Sequence, residues 1–123
     1  MRPSMFSLAA LITIFASFAS VHPAEHHGIQ IYGGARLDKE ETNFLREKAG
    51  ADGYCYRTED SVKKVTAFYQ KHPGLTSLGS DKNGGMFVKE ENGPTVYIKV
   101  QSPWQPAKGG PMKEDTFIGI TRE

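Results

Sequence analysis

Residues 95–102 alternate without interruption: Val96, Ile98 and Val100 point one way, and Tyr97, Lys99 and Gln101 the other. That period of two requires a pleated strand with one buried face and one wet face. Residues 117–122 repeat it with Ile118 and Ile120, and residues 53–58 set Tyr54 and Tyr56 against Cys55 and Arg57. Residues 85–90 read as a further strand. Ile29 and Ile31 flank Gln30 as a short extended piece, and residues 75–79 form a weak strand. Turn signals separate these runs, at residues 81–84 and at Asn92-Gly93.

Two segments carry a helical period instead. Asp38 is placed as an N-cap with Glu41 three residues on, the spacing of a capping box. Phe44, Leu45 and Ala49 then form a narrow apolar stripe, and Gly50 stands where the helix ends. The second helix is capped by Asp60 or Thr58 and puts Val62, Val65, Phe68 and Tyr69 on one side. Pro73-Gly74 stops it, and His72 as imidazolium suits the negative end of its dipole. The sum is an α+β domain: an antiparallel sheet of four or five strands with two helices packed on one face.

Arg2 precedes an apolar run over residues 5–18. About 20 residues are needed to span a bilayer, so this run fits a signal peptide rather than an anchor. Ser17 and Ala19 place cleavage before Ser20, with a cut after Ala24 as the alternative. Residues 1–19 are then the leader, 20–28 a flexible lead, and 29–123 a single domain of the periplasm or the extracellular space. Lys and Arg number 15 against 14 Asp and Glu, and Arg2 falls in the leader, so the exported part is formally neutral. Such a surface offers no footprint for nucleic acid or an anionic membrane, and no integral membrane segment remains after cleavage. Cys55 is the only cysteine, which rules out an internal disulfide. Its place between two tyrosines on a strand suits a packed, inert thiol.

Reactive constellations are scarce. No Gly-x-Ser-x-Gly elbow occurs, and Glu40-Glu41 and Glu90-Glu91 are adjacent pairs whose side chains diverge. No catalytic residue and no cofactor is assigned. His26 and His27 are the metal-ligand candidates. With cleavage after Ala24, the terminal amine, two amides and the His27 imidazole could hold Cu(II) or Ni(II). The loop at residues 103–115 is long and carries Trp104, Met112 and Lys113. Together with Tyr97 these are the candidates for ligand or partner binding, since long loops on rigid sheets often carry function.

Residues 31–35 (Ile-Tyr-Gly-Gly-Ala), 54–58 with Asp60-Ser61-Val62, 65–69 and 101–104 together resemble a group of small exported bacterial proteins. That resemblance implies a periplasmic home and an α+β fold, and it brings no activity and no functional residues. Residues 53–102, with Asp60, Phe68-Tyr69 and Gly74-Leu75, are similar to one βαβββ module of the vicinal-oxygen-chelate (glyoxalase-like) superfamily. There, strand-borne His and Glu ligands hold a catalytic metal; here no histidine lies on a predicted strand. The leading expectation is a non-enzymatic module that binds a small apolar or aromatic ligand, or a protein partner. The competing one is a metal-binding or metal-dependent protein, using His26 and His27 or a glyoxalase-like dimer. A third is a structural subunit, including a homodimer joined along sheet edges.

Overall fold

The computed structural model describes residues 25–90 and 93–123. The leader, both cleavage sites and Asn92 of the expected hairpin turn lie outside the described residues. In chain order the elements are β1 (Glu25–His26), β2 (Ile29–Gln30), β3 (Arg36–Leu37), α1 (Lys39–Glu47), β4 (Asp52–Thr58), α2 (Val62–Gln70), β5 (Thr76–Asp81), β6 (Gly84–Lys89), β7 (Val96–Gln101) and β8 (Thr116–Arg122).

The expected sheet of four or five strands is too small. Six strands form one antiparallel sheet in the order β3-β4-β8-β7-β6-β5, and β1 and β2 form a separate ribbon. Two elements account for most of the difference. Arg36–Leu37 pairs with Tyr56 and Arg57 as a two-residue edge, too short to show alternation. At the other edge, β5 is the strand that read as weak: it is exposed along its whole length, so no buried side sets an alternation. The chain's last strand, β8, inserts between β4 and β7 and is paired on both sides.

The expectation that both helices share one face also fails. Tyr54, Tyr56, Ile118, Ile120, Ile98, Val100 and Phe87 are cross-strand neighbours on one face. Val65 and Tyr69 of α2 pack there, and Ile29, Ile31 and Tyr32 complete that core. Cys55, Phe117, Gly119, Thr121, Tyr97 and Lys99 occupy the opposite face, and there α1 brings Phe44 and Leu45. Linkage explains the split. Only Asp38 separates β3 from α1, and its backbone N–H donates to Cys55 O at 2.8 Å. Thr42 Oγ1 then accepts the Cys55 N–H at 2.9 Å. The β4 edge is thus continued by a helix side chain where β3 stops, and α1 is drawn over the Cys55 face.

The N-cap of α1 is as the spacing predicts: Asp38 Oδ1 accepts the Glu41 N–H at 2.9 Å. The cap of α2 is Ser61, whose Oγ accepts the Lys64 N–H, rather than Asp60 or Thr58. Asp60 is engaged elsewhere, accepting from the Tyr32 hydroxyl at 2.6 Å.

Residues 25–28, expected to be loose, are built into the fold. His27 and Gly28 both have positive φ, 55° and 80°, and close a two-residue hairpin turn between β1 and β2. His26 stacks on Tyr54 with ring centroids 3.7 Å apart, and its Nε2 lies 2.6 Å from the Tyr56 hydroxyl. His72 also holds the ribbon: its Nε2 accepts the Gln30 N–H at 3.2 Å while Nδ1 donates to Pro73 O. His72 thus ties the end of α2 to the ribbon. No helix among the described residues is long and apolar enough to cross a membrane.

Candidate functional site

The wet side of the sheet is not flat. Between α1 and the strands lies a cleft of ≈ 350 Å³ whose lining is mostly apolar. Phe44, Leu45 and Ala49 come from the helix, and Phe117, Gly119 and Thr121 from β8. Cys55 extends the floor onto β4, and Tyr97, Lys99 and Met86 extend it onto β7 and β6 on the other side of β8.

Gly119 lies in the floor. It sits mid-strand in β8, opposite Cys55 on one side and Lys99 on the other. A glycine there weakens a strand and packs nothing, and such positions commonly mark close approach by another group. Here that group is the Phe117 ring, which a Cβ at Gly119 would meet at 3.0 and 3.2 Å. The ring edge thus lies over the glycine, and a side chain there would have to displace it.

One end of the cleft is closed by the loop after β7. Ala107 donates its N–H to both carboxylate oxygens of Glu41, at 3.1 and 3.2 Å. Glu41 is only 8% exposed, so this bond fixes the loop to α1. Cys55 is buried in the floor. Burial, followed by the nearby Glu41 and Asp38 carboxylates, pushes its thiol up to about 12, against a smaller opposing effect of the Thr42 hydroxyl. A thiol so placed is a packed hydrophobe at neutral pH, because the thiolate is the reactive species.

Of the binding and metal candidates named from the sequence, Tyr97 alone lines this cleft. Trp104 is 3% exposed and belongs to a closed cluster. Its backbone pairs with Lys113 in an isolated bridge, its ring lies 5.1 Å from that of Phe117, and the Arg57 guanidinium covers it at 5.1 Å. Phe117 pairs with Gln101, whereas Tyr97 pairs with Thr121 at the far end of β7. Four residues of strand separate the two sites, roughly 13 Å, so Tyr97 and Trp104 do not form one surface. Lys113 and Trp104 instead border a separate hollow of ≈ 270 Å³ with Arg57 and Lys108. Met112 is 50% exposed and lines neither space.

His26 and His27 lie on the opposite face, around Tyr54. His27 Nε2 stands 3.6 Å from Asp52 Oδ1, too long for a hydrogen bond. Among the described residues, no three His, Cys, Asp or Glu side chains are grouped to hold a metal ion.

Sequence reasoning missed Lys99, Gly119 and Phe117 as site residues. Their signal was present: all three fall on the outward positions of the two best-patterned strands. The burial pattern of those strands left the outward face as solvent, and nothing in the sequence tells which helix roofs it. Compared with known protein families, curated proteins and solved structures, the chain matches none.

Proposed function

We propose that this protein is an exported, non-enzymatic binding module that takes a small apolar or aromatic ligand into the cleft between α1 and the sheet. The observation that carries the reading is the cleft itself, mostly apolar and enclosed between Phe44 and Leu45 of α1 and the sheet. Its only thiol is buried and held protonated, His26 and His72 are engaged on the other face, and His27 lies there beside Tyr54. The cleft is therefore lined for contact and not for proton or group transfer. The leader-like residues 1–19 support a periplasmic or secreted home for such a module.

The test is calorimetric titration of the full domain with octanol, an uncharged probe. One saturable site is expected. Gly119→Val, which fills the floor from an ordinary extended backbone, is expected to abolish binding while the protein still melts cooperatively. Absence of binding to the unmodified protein, or equal binding by Gly119→Val, sinks the reading.

A further inference from the structure

The cleft has one polar end that is not spoken for. Lys99 lies directly opposite Gly119 across the β7–β8 pair, with Met86 on its other side. Its side chain is exposed and lines the cleft, and no ion pair or hydrogen bond engages its ammonium among the described residues. The cations around it are arranged differently. Arg57 is paired with Asp115 and Asp38, Lys108 with Glu40, and Arg46 and Arg122 with Asp52. The opposite wall is acidic: Glu41 is buried there, and its carboxylate accepts the Ala107 N–H.

We infer that the cleft selects an amphiphile with a single anionic head, such as a short-chain monocarboxylate, its head on Lys99 and its apolar body over Gly119 and under Phe44 and Leu45. This rests on the cleft being a binding site, as proposed above. A cation at the rim of an apolar cleft matches one negative charge and lets the rest of the guest be buried. Glu41 at the other wall disfavours a second negative charge, so a dicarboxylate of the same length binds less well than the monocarboxylate. The ammonium is partly in water, so the preference it gives is modest and is screened by salt.

The experiment compares octanoate, octanol and octanedioate by calorimetry on the full domain at low ionic strength. Octanoate is expected to bind roughly fivefold more tightly than octanol, a factor in keeping with a partly exposed charge pair. Octanedioate is expected to bind more weakly than octanoate. In Lys99→Met, which keeps the apolar stem, octanoate should fall to the octanol level while octanol is unchanged, and Lys99→Arg should restore the preference. Equal binding of octanoate and octanol, or a preference that persists in Lys99→Met, overturns the inference and leaves the cleft reading standing. Tighter binding of octanedioate overturns the single-charge assignment in the same way. Failure of all three probes to bind removes the cleft reading together with the inference.

Discussion

Trp104 gives its indole N–H to Asp115, Nε1 to Oδ1 at 2.9 Å. The second oxygen of that carboxylate accepts from Arg57 Nε at 2.8 Å, and the Arg57 guanidinium lies over the indole ring. Three side chains thus lock the loop after β7 to β4 and to the start of β8. Replacing Trp104 with Ala empties a buried ring site and is expected to cost about 3–5 kcal/mol. Chemical denaturation measures this. A variant that is as stable as the parent would show the indole to be peripheral.

The same carboxylate makes stability depend on acid. Burial opposes its ionisation, but the hydrogen bonds from Arg57 and Trp104 prevail and hold the Asp115 pKa below its ordinary value. The stabilisation is complete above the usual carboxylate range and is lost as pH falls through the native pKa. Asp115→Asn should therefore show a shallower fall in melting temperature on acidification than the parent.

His26 acts in the same sense at higher pH. Burial, with His27 and Arg46 nearby, holds its pKa below the ordinary 6.5. The unfolded chain binds a proton before the native one does, so this contribution is full above 6.5 and declines as pH drops below it. His26→Phe keeps a ring against Tyr54 and removes the titration. Melting temperatures recorded between neutral and mildly acidic pH should fall less in that variant, from a lower starting value. Parallel curves would count against the His26 contribution.

Tyr69 is wholly buried, and its hydroxyl joins two chain segments. It accepts the Tyr32 N–H at 3.1 Å and donates to Gln30 O at 3.0 Å. Tyr69→Phe preserves the ring but strands both backbone groups, at a cost of about 2 kcal/mol. The loss should appear in equilibrium unfolding, and amide exchange at Tyr32 should accelerate. Unchanged exchange would mean that the ribbon is held by its apolar contacts alone.

Cys55 should be silent toward a disulfide reagent such as Ellman's at pH 8 in the native protein, since burial and two carboxylates keep its thiol protonated up to about 12. Denaturant should expose one equivalent. Rapid labelling of the folded protein would show that the floor of the cleft is open enough for a reagent to enter.

Two glycines differ in what a side chain would meet. Gly84 has φ 141°, and a Cβ there would run into the Val100 carbonyl, so Gly84→Ala is expected to destabilise by at least about 2 kcal/mol. Gly119→Ala meets the edge of the Phe117 ring, which must give by a few tenths of an ångström, and should change stability by less than about 1 kcal/mol. Similar costs at the two positions would contradict the view that the ring yields where a backbone carbonyl does not.

The sequence showed the long strands plainly because alternation is a direct record of one face being buried. It showed α1 and its cap for the same reason, since Asp38 and Glu41 act within four residues. What escaped is set by distant neighbours. Arg36–Leu37 is a strand only because Tyr56 and Arg57 offer an open edge. The turn at His27-Gly28 puts a non-glycine residue at positive φ, which composition does not announce. An apolar stripe on a helix says that it packs, not which side of the sheet receives it; the single residue between β3 and α1 decides that. For the same reason Tyr97 could be read as outward-facing, while the roof that turns its surroundings into a cleft could not. Trp104 drew notice as an exposed-loop aromatic, and its partners Arg57 and Asp115 were too far apart in the chain to reveal that it is enclosed.

Along β8, Ile118 and Ile120 serve one helix while Phe117, Gly119 and Thr121 serve the other. Two tasks are thus interleaved on a single stretch of backbone, residue by residue. Changes at 118 and 120 therefore bear on the core under α2, and changes at 119 and 121 on the cleft under α1. Phe117 bears on both the cleft and the ring of Trp104.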